Sequence, residues 1–217
     1  GFPTGINLPG EKSGLIPDRK WKLDIKKQVW RPGETIIAGI GQGYVLATPI
    51  QLALMTARIA NGGKKIKPTL LKSPILQASN ANSVKVSEEN LNIIKRAMEK
   101  VSLDEFGTGR NFRLGIKGVE MAGKTGTVQV RRISTKERES EEGVIKNEDR
   151  IWEWRDHALY VGYAPMDKPR YAISVIVEHG GSGSSKAGPI ARDIMEATLT
   201  DDPTRFIPKN PIKKPLI

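Results

Sequence analysis

The chain has 217 residues, of which 38% are hydrophobic, and its mean hydropathy of −0.39 is typical of one large or two small globular domains. It lacks cysteine and contains only two histidines, which excludes disulfides and thiolate metal sites, and we expect neither a metal ion nor a cofactor. The net charge is +11, but the basic residues are scattered and form no nucleic-acid-binding motif, so we expect no nucleic-acid partner.

The start of the chain carries no targeting signal that we can identify. It opens Gly1-Phe2-Pro3 without methionine, and no apolar run approaches the roughly 20 residues of a membrane-spanning helix. From this we expect a segment of a longer protein.

The first half of the sequence predicts two helices. Residues 1–45 are rich in glycine and proline and are predicted to be mostly ordered loop. Thr48 and Pro49 form a helix start, and the helix continues to Ala60 with apolar residues on nearly all sides, which predicts that it is buried. Ser87 caps a second helix. The inward stripe of that helix comprises Leu91, Ile94, Met98 and Val101.

Residues 121–130 are predicted to form a β-strand that contains Lys124, Thr125, Gly126 and Thr127. Side chains alternate along a strand, so the lysine lies on one face and the two threonines lie on the other. A cation, two hydroxyls and a bare backbone edge suit a peptide ligand with a carboxylate end, added to the strand by main-chain hydrogen bonds. The alternative is a surface strand without a ligand.

Two further strands and a last helix follow. Residues 131–157 begin with a mixed-charge run that predicts a solvated loop. Strands are predicted at 157–164 and 171–177, joined by a turn, and with the first strand they form an antiparallel meander. Residues 180–185 predict a flexible bend. Pro189 begins the last helix. Its inward residues are Ile190, Ile194, Met195 and Leu199.

The fold class is therefore α+β, an antiparallel sheet with flanking helices. The order of elements around Lys-Thr-Gly-Thr resembles the end of a penicillin-binding transpeptidase domain, a partial penicillin-binding/β-lactamase-like fold. The resemblance covers residues 1–200, followed by a flexible Pro/Lys-rich tail at 201–217. Other stretches resemble the elongation-type branch of the class B penicillin-binding proteins. They are Thr4–Gly14, Gly39–Tyr44, Ala47–Gln51 and Asp156–Leu159.

The resemblance implies an acyl transfer in which a serine attacks the D-Ala-D-Ala bond of a peptidoglycan stem peptide, and in which penicillins trap that serine. It implies that Lys124, Thr125, Gly126 and Thr127 belong to the catalytic site. Lys124 supplies positive charge and assists proton transfer, Thr125 and Thr127 bind the substrate carboxylate, and the Thr127 amide forms half of the oxyanion hole. Gln129 joins them as a substrate-binding residue.

The chain departs from the family at the nucleophile. No serine is followed by lysine three positions later or by asparagine two positions later, so the Ser-x-x-Lys and Ser-x-Asn motifs are missing. Without a nucleophile, covalent catalysis is lost. We expect this chain alone to be inactive and not to be acylated by penicillin.

The resemblance also implies partners and a location. We expect stem peptides and β-lactams as ligands of the complete domain, and either the upstream half of the domain or a second copy of the chain covering the open sheet. The family works with the elongation machinery at the periplasmic face of the bacterial inner membrane.

Two alternative functions compete with this interpretation. One is a fragment of a D,D-carboxypeptidase or a serine β-lactamase-like protein on the same fold. The other is a basic interaction module, for which salt-dependent binding of nucleic acid would be the sign.

Overall fold

A three-stranded antiparallel sheet with the order β1-β2-β3 lies at the centre of the residues that the structure describes. The structure is a computed structural model that describes residues 1–71, 82–131, 133–140 and 143–202. The strands are β1 (Ala122–Val128), β2 (His157–Ala164) and β3 (Tyr171–Val177). The helices are α1 (Arg19–Lys26), α2 (Pro32–Gly39), α3 (Pro49–Ala60), α4 (Glu88–Leu103), α5 (Thr135–Glu139) and α6 (Gly188–Asp201). The predicted meander and the α+β class are therefore confirmed.

The register of the sheet creates two apolar faces. Ala122 pairs with Tyr163, and Tyr163 pairs with Ala172, so these side chains share one face. That face packs against Ala60 of α3 and Met98 of α4. The sheet is thus covered by α3 and α4 on this side.

The opposite face carries the larger core. Tyr160 is fully buried there and contacts Phe112 edge to face, with ring centroids 5.2 Å apart. Ala191 and Met195 of α6 complete this cluster. Since helices cover both faces, the edges of the sheet remain as the places where a ligand can reach the strand backbone.

Two predicted helices are found where they were expected. The Thr48 side chain accepts a hydrogen bond from the Gln51 amide and Pro49 is the first residue of α3, while Ser87 caps α4 at the Asn90 amide. The prediction that α3 is buried on all sides is wrong in part, because Met55 is 45% exposed. The apolar surface of α3 exceeds the area that the sheet and α4 cover.

The prediction for residues 1–45 is wrong in two places, since α1 and α2 lie there. Asp18 caps α1 by accepting from the Trp21 amide, and Pro32 opens α2. An ion pair joins the two helices, because Lys22 Nζ lies 2.5 Å from Glu34 and the lysine is almost fully buried. This contact between distant residues stabilises helices that are too short to be stable alone.

Other expectations need correction near the C-terminus. Residues 183–187 form a π-helical turn that runs into α6, in place of a flexible bend. Ile190 and Ile194 are exposed, and Ala191 takes their place against the sheet. Asp201 and Asp202 are described, whereas the rest of the predicted tail at 201–217 lies outside the described residues.

The mixed-charge segment after β1 is more structured than predicted. Arg150 and Asp156 are buried and form an ion pair at 3.2 Å, and the Asn147 side chain donates to the same carboxylate. Short turns at Asn147–Asp149 and Trp152–Trp154 carry this network. In the part of the chain that the structure covers, no helix has the length and apolarity needed to cross a bilayer.

Candidate active site

Strand β1 forms an edge of the described sheet, with β2 on one side only. Backbone groups in an antiparallel pair alternate between the two sides, so Thr125 and Thr127 direct theirs to the same side. The Thr127 carbonyl accepts a hydrogen bond from Gln42 Nε2 at 3.1 Å, and the Thr125 carbonyl accepts from Lys124 Nζ at 2.7 Å. Both carbonyls at this edge therefore already accept a hydrogen bond from a side chain.

The structure brings the predicted residues together as consecutive positions of β1. Lys124 and Thr127 are exposed, Thr125 and Gly126 are half-buried, and Gln129 follows directly after the strand at an exposed position. The cation and the hydroxyls are thus accessible to a ligand, and a peptide on the strand edge would replace Gln42 and Lys124 as hydrogen-bond donors to the carbonyls. This is the arrangement that an extended peptide with a carboxylate end requires.

Sequence reasoning missed two residues that contact this strand. Thr108 lies in the turn after α4, and its hydroxyl is 2.9 Å from the hydroxyl of Thr125. Gln42 lies in the turn after α2, next to two glycines with positive φ. Thr108 stands in a Gly-Thr-Gly turn at 107–109, and no pattern in the sequence predicted that its side chain contacts β1.

Two glycines allow other groups to approach the strand closely. A Cβ atom on Gly123 would lie 2.0 Å from the Tyr160 hydroxyl, so glycine at this position makes room for the buried ring. A Cβ atom on Gly183 would lie 2.5 Å from the Gly126 carbonyl and 2.3 Å from that of Leu159. The turn before α6 thus rests directly on the backbone of β1 and β2, which fixes the position of Gly126.

Burial raises the pKa of the Tyr160 hydroxyl well above its usual value.

A groove of about 780 Å³ continues from the C-terminal end of β1. One wall consists of α2 and the turn at 40–46, and the other consists of residues 128–131 together with Arg138 of α5. Gln42 and Gln129 both line it, so the groove is continuous with the strand edge at Thr127.

Ion pairs neutralise most of the charge around this groove. Lys22 holds Glu34, and this hydrogen bond lowers the pKa of the Glu34 carboxyl. Arg131 forms a two-pronged pair with Glu137, one contact at 2.8 Å, which lowers the pKa of the Glu137 carboxyl. Among the described residues, the Arg138 guanidinium has neither a hydrogen bond nor an ion pair. Arg138 therefore lines the groove without a charged partner in the part of the chain that the structure describes.

The described residues contain no cluster of three or more potential metal ligands. His157 and His179 lie next to each other, with ring centroids 4.7 Å apart, and the His179 amide donates to His157 Nδ1 at 2.9 Å. Trp152 packs on His179. These contacts give the two histidines a structural role at the start of β2.

Comparison with known proteins identifies relatives over nearly the whole chain. A family model described as the penicillin binding protein transpeptidase domain matches residues 1–196. The peptidoglycan D,D-transpeptidase MrdA of Acinetobacter baumannii is 38% identical over 98% of this chain and 30% of its own length. The MrdA of Haemophilus influenzae is 38% identical over 92% of this chain and 31% of its own length. The chain thus spans about 30% of the length of these relatives.

Solved structures agree with these matches. A crystal structure of Pseudomonas aeruginosa PBP2 in complex with WCK 5153 has a TM-score of 0.74 and 38% identity, covering 95% of this chain and 43% of that chain. The PBP2 of Helicobacter pylori in complex with MreC has a TM-score of 0.72 and 33% identity, covering 92% of this chain and 33% of that chain.

Proposed function

Because the chain belongs to the penicillin-binding protein transpeptidase domain family, as its motifs indicated, we propose that it supplies the Lys-Thr-Gly strand to the active site of a peptidoglycan D,D-transpeptidase. The observation that carries this proposal is the exposed edge of β1, where Lys124, Thr125 and Thr127 are adjacent and open to a ligand. Two findings support a transpeptidase over the carboxypeptidase and β-lactamase alternatives. The relatives include transpeptidases, and the family model matches most of the chain.

We assign each residue of the strand a role in binding a D-Ala-D-Ala peptide. The hydroxyls of Thr125 and Thr127 donate to the terminal carboxylate of the substrate, and Lys124 adds positive charge beside it. The Thr127 amide donates to the oxygen that becomes negative when the carbonyl is attacked. Gly126 leaves space for the substrate backbone at the edge, and Gln129 contacts the peptide beyond the strand.

The reaction that fits this site is acyl transfer. A serine oxygen attacks the carbonyl of the penultimate D-Ala, the C–N bond breaks, and the last D-Ala leaves with a proton on its amine. An amine of a second stem peptide then attacks the ester and releases the serine. The nucleophile is outside this chain, because none of its serines stands in a Ser-x-x-Lys motif.

The partners follow from the same proposal. The segment that carries the serine covers the open edge of β1, and elongation proteins bind the complete enzyme. The structure of the Helicobacter pylori relative with MreC supports the second point. We place the domain at the periplasmic face of the inner membrane.

A chimaera tests the catalytic proposal. In the Acinetobacter baumannii relative, the aligned third is replaced by this chain, and the purified protein is treated with a fluorescent penicillin. We expect a covalent adduct on the part that precedes this chain, and no adduct when the chain is treated alone. Replacing Lys124 with alanine should slow acylation by about a hundredfold, a loss typical of removing a charged or oxyanion-stabilising group.

The control is Lys117→Ala, which removes an exposed lysine just before β1 and should leave the acylation rate unchanged. Circular dichroism establishes that each chimaera is folded. An adduct on this chain itself, located by intact mass and peptide mapping, would contradict the proposal. A Lys124→Ala chimaera that reacts at the unsubstituted rate would also contradict it.

A further inference from the structure

Two carbonyls on the open edge of β1 are capped by side chains of the same chain. Gln42 Nε2 donates to the Thr127 carbonyl at 3.1 Å, and Lys124 Nζ donates to the Thr125 carbonyl at 2.7 Å. An uncapped strand edge is a template for pairing with any extended chain. With these acceptors occupied, an incoming strand has to displace a side chain before its own amides can donate to β1.

The carbonyl that Gln42 caps is one that the substrate needs. In the proposed site the substrate carboxylate lies beside Lys124 and the preceding residues extend towards Gln129, so the peptide runs antiparallel to β1. Residues that form a hydrogen-bonded pair in antiparallel strands exchange both of their N–H···O bonds. A penultimate D-Ala whose carbonyl accepts from the Thr127 amide therefore donates its own N–H to the Thr127 carbonyl.

The Gln42 side chain takes the place of that substrate N–H. Both groups are amide donors, and both approach the Thr127 carbonyl from the open side of β1. The substrate and Gln42 therefore compete for one acceptor. The competition is set up within this chain, since Gln42 and Thr127 are 85 positions apart in the sequence.

The turn that carries Gln42 holds its backbone in place. Gly41 and Gly43 on either side both have a φ of +73°, a left-handed conformation that glycine adopts without strain. The Gln42 backbone amide donates to the Ile37 carbonyl of α2 at 3.0 Å. Rotation of the Gln42 side chain, without movement of the turn, is therefore sufficient to release the Thr127 carbonyl.

Resting on the proposed function, we propose that the Gln42 side chain makes an autoinhibitory contact, which closes the Thr127 carbonyl in the free site and must be displaced by the substrate. The apparent affinity for a ligand that donates to this carbonyl falls with the fraction of molecules in which the carbonyl is open. For one neutral hydrogen bond, the reduction is about fivefold. A ligand without such a donor is not affected.

Two β-lactams test this contact on the chimaera. A penicillin carries an acylamino N–H beside its reactive carbonyl, in the place of the penultimate N–H of the peptide, and penicillanic acid has the same rings without that group. Gln42→Met keeps the length of the side chain but removes its N–H donors. We expect it to raise the second-order rate constant of acylation by the penicillin about fivefold. The rate constant for penicillanic acid should not change, and intact mass against time measures both.

Gln28→Met is the matched control, because Gln28 is an exposed glutamine between α1 and α2. It should change neither rate constant. The autoinhibitory contact is overturned if Gln42→Met reacts with the penicillin more slowly than the unsubstituted chimaera or at the same rate. It is also overturned if the substitution accelerates both β-lactams equally, since that result indicates a general loosening of the site.

The same experiment separates this inference from the proposed function. If the unsubstituted chimaera forms no adduct on the part that precedes this chain, the proposed function fails and the autoinhibitory contact fails with it. If the adduct forms and Gln42→Met does not accelerate its formation by the penicillin, only the autoinhibitory contact fails.

Discussion

Thr108 adds a hydroxyl to the candidate site from outside the strand. Its oxygen lies 2.9 Å from that of Thr125, and a hydroxyl can donate only one hydrogen. When the Thr125 hydroxyl donates its hydrogen to Thr108, it is turned away from a ligand. When Thr108 donates, the Thr125 hydrogen is directed towards a carboxylate. Thr108 thus controls the orientation of the Thr125 hydroxyl, to which we assign substrate binding.

Replacing Thr108 with valine should therefore change catalysis more than folding. In the chimaera, we expect Thr108→Val to slow acylation by about fivefold, the effect of losing one neutral hydrogen bond. The melting temperature should stay unchanged, because Thr108 lies at an exposed position. Thr135→Val serves as the control, since Thr135 is an exposed threonine of α5. Equal acylation rates for both variants would show that the contact does not orient Thr125.

The difference between found and missed site residues has a physical reason. Lys124 to Thr127 were proposed because they are consecutive and form a Lys-Thr-Gly-Thr motif that resembles the family, in a segment that alternates as a strand does. Thr108 and Gln42 contact the same strand from positions 17 and 85 residues away. Such contacts depend on where the turns after α2 and α4 lie relative to the sheet, and no local pattern encodes them.

At the scale of elements, the turn before α6 connects the helix to the site. Gly183 packs on the backbone of Gly126 and Leu159, with no space for a side chain. We expect Gly183→Ala to lower the free energy of unfolding by about 1–3 kcal/mol, because the added methyl forces the turn away from the sheet. Urea denaturation measures this change. Ser185→Ala, at an exposed position of the same turn, should change it little, and equal stability of the two variants would contradict the packing argument.

Elements with strong local signals were predicted well, and the others depended on tertiary contacts. The Thr48-Pro49 start and the period-2 strands at 157–164 and 171–177 encode their own boundaries. Helices α1 and α2 have eight residues each, and their pairing relies on the ion pair between the buried Lys22 and the half-buried Glu34. A lysine in a charged stretch normally predicts an exposed side chain. This contact could therefore not be predicted from the sequence.

At the scale of the whole molecule, large apolar side chains are exposed on α1 and α2. Ile25 is 62% exposed and Ile36 is 72% exposed, and surfaces of this kind usually contact a partner. In solution, the isolated chain can cover this apolar surface only by binding further copies of itself. The sequence analysis predicted such association from the open sheet edge, while these helices show that the apolar surface extends beyond that edge.

We therefore expect the isolated chain to associate at micromolar concentration, and Ile36→Glu to weaken that association by about tenfold, since it places a charge in an apolar contact. The substitution also lowers the positive charge of a chain with a net charge of +11, which by itself would reduce repulsion between copies. Weaker association therefore reports the loss of apolar contact. Asn90→Glu changes the charge equally at an exposed position of α4 and should not weaken association. Sedimentation velocity over a range of concentrations distinguishes the variants, and a chain that stays monomeric throughout would show that α1 and α2 need no cover.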